Sequence, residues 1–362
     1  AAAGLDILRC PAAWDAVRSG ASTMPPVLPA PNSTRRRVLG QAAALAAALA
    51  LSGPALAQTP AQPAVIYDMG GKFDRSFNQA GFDGAERWRK ETGRSFREFE
   101  IGNATQREQA KRRMAQAGAN PIVAIGFSQG TSLEKVAREF PRTQFAIIDS
   151  VVNLPNVQSV VFKEHEGSFL VGVMAAMASK TGRVGFVGGM DIPLIRRFQC
   201  GFEQGARFVN PAVQVSANMT GTTPAAWNDP ARGAELARAQ FAAGVDVIFA
   251  AAGGTGLGVY QAARDAGRLA IGVDSNQNHL HPGTMLTSMV KRVDVAVYNA
   301  FKGITPGVTT LGLKEGGVDV ALDEHNASLV TPQMRQRVEA VRADIVAGRI
   351  QVIDFMASNA CR

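Results

Sequence analysis

From Pro63 onward, short apolar runs alternate with amphipathic stretches of helical period. The runs "AVIYD", "FREFEI", "PIVAIG", "QFAIIDS" and "VQSVVF" are separated by stretches that predict helices, among them Asn78–Thr92 and Gln106–Ala117. This alternation is the signature of βαβ units and a parallel sheet. After "EHEGSFLVGVMAAMASKTG" the pattern restarts with "RVGFVGG", "VQVSANM", "VDVIFAAAG", "LAIGVDS" and "MLTSMVK". Helices are predicted there over Ile192–Phe208, Asp229–Ala243 and Gly254–Ala266. Two consecutive doubly wound α/β lobes follow, the first running from Gln58 to about Phe162. Such sheets bring the carboxyl ends of their strands to a shared crevice, where ligands bind. Asp68, Gly126, Phe127 and Asp149 close strands of the first lobe; Gly253, Gly254 and Asp274 close strands of the second. Singly, Asp and Gly at a strand end are ordinary turn and cap residues. Their collection at one end of two sheets points to a site.

The segment before this pattern has a different character. "TRRRVLGQAAALAAALALSGPALA", Thr34 to Ala57, joins paired arginines to an Ala/Leu core and a small-residue A-x-A ending, the layout of an export signal cleaved near Ala57. The apolar core from Gln41 to Leu51 is too short for a stable transmembrane anchor. Arg35 and Arg36 suit the twin-arginine route. The rival reading is a short buried N-terminal helix. Gln58, not Cys, follows Ala57, so a lipid anchor is not indicated.

Composition then narrows the function classes. The formal net charge of +8 falls to +5 without residues 1–57, which carry five arginines and two aspartates. So mild and even a balance does not support nucleic-acid binding. The 46% hydrophobic and 19% charged composition is that of a globular α/β protein of 362 residues, long enough for two lobes. Beyond Ala57 two cysteines remain, Cys200 and Cys361. In an exported chain they can pair; otherwise one is a buried thiol and the other a tail thiol.

The candidate chemistries are phosphate binding, catalysis and ligand capture. "DMGGKFDRSFN" contains neither a G-x-G-x-x-G nor a Walker sequence, and Gly254-x-Gly256-x-Gly258 has the wrong spacing and follows the wrong strand for a dinucleotide fingerprint. The four histidines lack metal-ligand spacing apart from His279-x-His281, which has no third ligand nearby. No G-x-S-x-G elbow or serine with an evident base is found. No metal or cofactor is expected. A binding cleft accounts for these residues better: rings for a flat ligand face, amides and carboxylates for its edge, glycines where backbone approaches closely. Phe77 and Asn78 follow the first turn, and Trp227 precedes a helix that Asn228 or Asp229 would cap and Pro230 would start. The rival reading for each ring is a hydrophobic staple at the helix start.

"GGKFDRSFNQAGFDGA", "IVAIGFSQ", "GFVGGMDIPLIRRFQCGFEQGA", "AWNDPARGAELA", "DVIFAAAGGTGLGVYQAA", "AIGVDSNQ" and "LTSMVKRVDVAVYNA" resemble, in order, the basic-membrane-protein family of ABC-importer substrate-binding proteins, the purine-nucleoside receptors. The resemblance implies a type I periplasmic-binding-protein fold: two doubly wound lobes joined by three crossovers. Residues 58–162 and 290–328 would then form the N-terminal lobe, and 163–289 with 329–362 the C-terminal one. It implies that Phe77 and Trp227 sandwich a base, that Asp68 and Asn78 contact the ligand from the first lobe, and that Asp274 and Lys291 hold ribose hydroxyls. Asp149, Gly253 and Gly254 become cleft lining. The implied protein is a periplasmic, monomeric binding protein that passes a purine nucleoside to a permease and ATPase complex. Trp227 stands where many members have Phe, and "YDMGG" replaces a longer segment, so the nucleoside is left open. A free purine or a flavin-like ring would suit the same residues; a nucleoside hydrolase and a sensor lobe docked on a membrane receptor are the readings from other classes.

Overall fold

The computed structural model describes residues 61–361 together with Pro26. The expected export signal over residues 1–57 lies outside the described residues. The first sheet is laid down by β1 (Ala64–Tyr67), β2 (Arg97–Glu100), β3 (Ile122–Ile125), β4 (Phe145–Ile148) and β5 (Val157–Phe162). Helices α1 (Phe77–Thr92), α2 (Gln106–Gln116) and α3 (Gly130–Glu139) connect them. The sequences AVIY, IVAI and FAII are buried along their whole length, as strands covered by helices on both faces must be. REFE in β2 forms the exposed, charged edge.

The second sheet repeats the plan with β6 (Arg183–Met190), β7 (Gln214–Gly221), β8 (Val247–Ala251), β9 (Leu269–Asp274) and β10 (Met285–Lys291). Its helices are α4 (Glu164–Ala178), α5 (Pro193–Val209), α6 (Pro230–Ala242) and α7 (Gly256–Asp265). α4 and α5 cross closely because Gly172, Gly201 and Gly205 stand at the contact; a Cβ on Gly205 would overlap the Phe169 backbone. α6 starts at Pro230 and is capped by Asp229, whose Oδ1 accepts the Arg232 N–H at 2.9 Å. The chain closes with α8 (Val293–Lys302), β11 (Gly307–Leu311), β12 (Val318–Val320), α9 (Pro332–Val346) and α10 (Phe355–Ser358).

The strand orders are β11-β5-β4-β3-β1-β2 and β12-β10-β9-β8-β6-β7. All pairings are parallel except β10 with β12, so this is the type I binding-protein fold. The chain passes between sheets after Phe162, after Lys291 and again between β11 and β12. One expected boundary is moved by this pairing. Of residues 290–328, α8 and β11 belong with the first sheet, whereas Val290 and Lys291 finish β10 and β12 returns to the second sheet. The unfilled edge of β10 draws β12 back, with Met289 opposite Val320, and Asn326 fastens the return by donating to the carbonyls of Leu286 and Ala321, both at 2.9 Å. Cys200 of α5 is bonded to Cys361, their Cα atoms 5.2 Å apart, which ties the C-terminal tail to the second lobe.

Candidate functional site

A crevice lies between the carboxyl ends of the two sheets, the usual ligand position in such folds. Asp68, Phe77, Asn78 and Asp149 line it from the first lobe; Trp227, Gly253, Asp274 and Lys291 line it from the second. Gly254 is not on its wall. It lies under the Trp227 carbonyl and the Asn228 side chain, where a Cβ would stand 3.3 Å from the carbonyl oxygen. Gly253 has the same spacing to that carbonyl, so both glycines clear a path for the Trp227 backbone. The indole itself fits because Gly189 has no side chain; a Cβ there would sit inside the ring.

The loop after β1 is built around two polar anchors. Asn78 accepts the Asp68 N–H through Oδ1 at 3.1 Å and donates through Nδ2 to the carbonyls of Asp68 and Gly71, also at 3.1 Å. Both amide hydrogens therefore hold the loop, so Asn78 shapes the wall more than it offers donors. Asp74 accepts the N–H groups of Ser76, Asn78 and Gln79 at 2.8–3.1 Å, which makes it the N-terminal cap of α1. Burial pushes its carboxyl up to about 6 against those bonds. Phe77, the first residue of α1, is half-buried with its ring on the cavity. The Asp68 carboxylate accepts from Ser128 Oγ at 2.5 Å and from the Met69 N–H at 2.8 Å.

Asp149, just after β4, and Asp274, the last residue of β9, have φ in the left-handed region, +67° and +64°. Such a conformation is uncommon outside glycine and collects at functional sites. Lys291 donates to Asp149 Oδ2 at 2.6 Å and lies 2.9 Å from Glu164 Oε1 as an ion pair. Its ammonium is also 5.1, 5.0 and 5.6 Å from the ring centres of Phe77, Phe162 and Phe198, within cation–π range. Burial alone would lower the Lys291 pKa, but Asp149, Glu164 and Asp274 outweigh it and hold the ammonium above its ordinary value. Burial pushes Asp149 up despite Lys291, with Glu164 adding to the push, and Asp149 Oδ1 has no partner among the described residues. Glu164 goes the other way: burial would raise it, and Lys291 with Arg197 brings it below the usual range.

The sequence reading did not single out Glu164, Arg197 or Ser76. Arg197 donates to Glu164 Oε2 at 2.9 Å and forks onto Asp354 at 2.7 and 2.8 Å, so a buried chain of charge runs from the cleft to the tail. The only local signal was an acidic helix start at "KEHEG", which reads as an ordinary first-turn acid. Ser76 donates to Asp274 Oδ2 at 2.7 Å across the cleft. Ser275 Oγ and Gln277 Nε2 donate back to the Ser76 and Arg75 carbonyls at 2.8 and 2.9 Å, so the two lobes are latched. Burial raises Asp274 to about 6.

This arrangement can hold a flat, mostly neutral ligand with hydroxyl donors. Residues 61–354 match the Bmp family, described as ABC transporter substrate-binding protein PnrA-like. The chain is 32% identical over 323 residues to the ABC transporter nucleoside-binding protein BmpA of Lactococcus lactis subsp. cremoris, covering 82% of this chain and 90% of that protein. It is 36% identical over 225 residues to basic membrane protein D of Borreliella burgdorferi, covering 59% and 65%. Among solved structures, an ABC transporter solute-binding protein from Aeropyrum pernix K1 superposes with a TM-score of 0.74 at 29% identity, covering 82% of this chain and 94% of that one. The two-lobed fold and the match over nearly all described residues place this chain in the Bmp family of PnrA-like ABC transporter substrate-binding proteins.

Proposed function

We propose that the protein captures a purine nucleoside between its lobes and delivers it to the permease and ATPase of an importer. The observation that carries this reading is that one ring from each lobe, Phe77 and Trp227, lines the same cavity as Asp149, Asp274 and Lys291. A base held between two rings gains about 0.5–1.5 kcal/mol per aromatic pair beyond area burial. Ribose hydroxyls taken out of water need acceptors, and the Asp274 and Asp149 carboxylates on the cavity wall supply them. Lys291 donates to a ribose oxygen and offsets the crowded carboxylates. Asp68 takes a donor on the base edge, while Asn78 and Gly253 shape the walls. The name of the Lactococcus relative supports the same ligand class.

The protein acts in the periplasm as a monomer after its twin-arginine leader is removed, and it is a carrier, not an enzyme. Isothermal titration with guanosine, adenosine, inosine and uridine tests the reading: at least one purine nucleoside binds tightly, and binding of none of them would end it. Incubated nucleoside should be recovered intact; release of free base would instead make the protein a hydrolase. A competition titration of base against nucleoside separates this reading from a receptor for a free purine or flavin-like ring, which the same two rings would also suit.

A further inference from the structure

Beside the main cleft a second hollow opens. It shares Asp68, Phe127 and Trp227 with the cleft, and its own walls are Arg107, Ser128, Met190 and Pro224. Asp149, Asp274 and Lys291, the groups suited to ribose, do not line it. Met190 and Pro224 make one side apolar; Arg107 and Ser128 make the other side polar.

Arg107 is the unusual member. Its side chain is 14% exposed, and Nη2 stands 3.4 Å from both Asp68 Oδ1 and Met69 Sδ. A charge-assisted pair closes to roughly 2.7–2.9 Å. Arg197 does this on Asp354 through Nε and Nη2; Arg107 does not close on Asp68. Its Nε is buried and has no acceptor among the described residues. A guanidinium N–H removed from water without an acceptor is costly, and buried polar groups in folded proteins are normally paired. Asp68 meanwhile has shorter partners in Ser128 and the Met69 N–H. Nε is closed off from the hollow, so the donor capacity left for a ligand is at the terminal guanidinium, where Nη2 holds only the two contacts at 3.4 Å.

We propose that this hollow is a subsite for a substituent on the base of the ligand, one that carries a carbonyl or carboxylate oxygen and takes the loosely held terminal N–H groups of the Arg107 guanidinium. The inference rests on the reading that the base lies between Phe77 and Trp227. A base so placed, with its ribose at Asp149, Asp274 and Lys291, turns its far edge toward Asp68, and the hollow begins there. Met190, Pro224 and the shared rings would cover the apolar stem of such a substituent.

The test is isothermal titration with parent purine nucleosides and with derivatives carrying a carboxymethyl group at N6 of adenosine, N2 of guanosine or C8 of inosine, each beside its propyl counterpart. At least one carboxymethyl nucleoside should bind as tightly as its parent and about tenfold more tightly than the propyl form. Arg107→Met should weaken that derivative about tenfold more than it weakens the parent, and Met190→Trp, which fills the hollow from the opposite wall, should do the same. The proposal is overturned if every carboxymethyl nucleoside binds about tenfold or more weakly than its parent, or if Arg107→Met lowers parent and derivative equally. If no parent nucleoside binds at all, the nucleoside reading itself fails and the subsite falls with it; the parent titration tells these outcomes apart.

Discussion

Asp149 and Asp274 occupy the same station in the two lobes. Each stands at the carboxyl end of the third strand inward from the β11 or β12 edge, each has a left-handed φ near +65°, and each is followed by serine. Their partners differ completely. Asp149 meets a buried ammonium at 2.6 Å, whereas Asp274 meets a hydroxyl from the opposite lobe at 2.7 Å. A repeated frame thus delivers two carboxylates to one cleft, each reaching a group of the opposite lobe, and what faces them decides their work: the first belongs to a buried charge cluster, the second to a bond with a neutral hydroxyl. Without Lys291, Asp149 and Glu164 would share a water-poor space as like charges, at a cost that neither could relieve while ionised.

That contrast is broken most forcefully by Lys291→Met. It leaves Asp149 without its partner and Glu164 with Arg197 alone, and losing one member of a buried ion pair costs about 3–5 kcal/mol. Urea unfolding should show a loss of that order, and a loss below about 1 kcal/mol would mean that the cluster does not hold as described. Asp274→Ala should behave in the opposite way. Burial has already raised that carboxyl to about 6, so its deletion removes a group that is costly to keep ionised at neutral pH. Stability should change little, while nucleoside affinity falls by about tenfold or more. Trp227→Ala should match it in affinity, and near-normal binding by either variant would take that residue out of the pocket.

A smaller effect follows from pH. The folded value near 6 for Asp274 lies above its ordinary 3.8, so between those values the folded chain binds more protons than the unfolded one. Ionising this group therefore lowers stability as pH rises through that window, and acidification from pH 7 to 5 should not unfold the protein on its account. Binding has the opposite sense, because the ionised carboxylate is the form that accepts from two hydroxyls. Affinity should fall by up to about tenfold between pH 7 and pH 5, the loss expected one unit below a pKa of 6. The Asp274→Asn variant should flatten that dependence; an unchanged pH profile would assign the titration to another group.

These residues also show where sequence stops being informative. Strands buried on both faces announce themselves, as AVIY, IVAI and FAII do, and the turns after them carry the cleft residues automatically. β12 has three residues and β11 is half-exposed, so neither leaves an apolar run, and the last return to the second sheet was misplaced for that reason. α9 had a readable pattern in Met334, Val338, Val341 and Ile345 after the Thr331–Pro332 start. Glu164 was invisible for a different reason. A helix-start acid is ordinary until folding sets it, fully buried, between Lys291 and Arg197 from distant parts of the chain. The fate of Asp74 was likewise settled only by its bonds to backbone: it caps α1 while lining the cavity.

The finest test of the contrast is Ser76→Ala. Its hydroxyl is the side-chain partner of Asp274 across the cleft, but the Ser76 carbonyl still accepts from Ser275 and the Arg75 carbonyl from Gln277. The hydroxyl's bonds to Asp274 and to the Val273 carbonyl are lost while others between the lobes remain, Lys291 to Asp149 among them, and a hydrogen bond to a charged group contributes about 1.5–3 kcal/mol at most when its partner stays buried. Opening the lobes lets water reach Asp274, so the net effect should sit below that range. Affinity should fall about three- to fivefold, with the unfolding midpoint nearly unchanged. Small-angle scattering of the ligand-free variant should show a larger radius of gyration than the parent protein, and added nucleoside should restore it. An unaltered radius with unaltered affinity would mean that the bond between Ser76 and Asp274 adds nothing to closure and that the remaining inter-lobe bonds hold the latch.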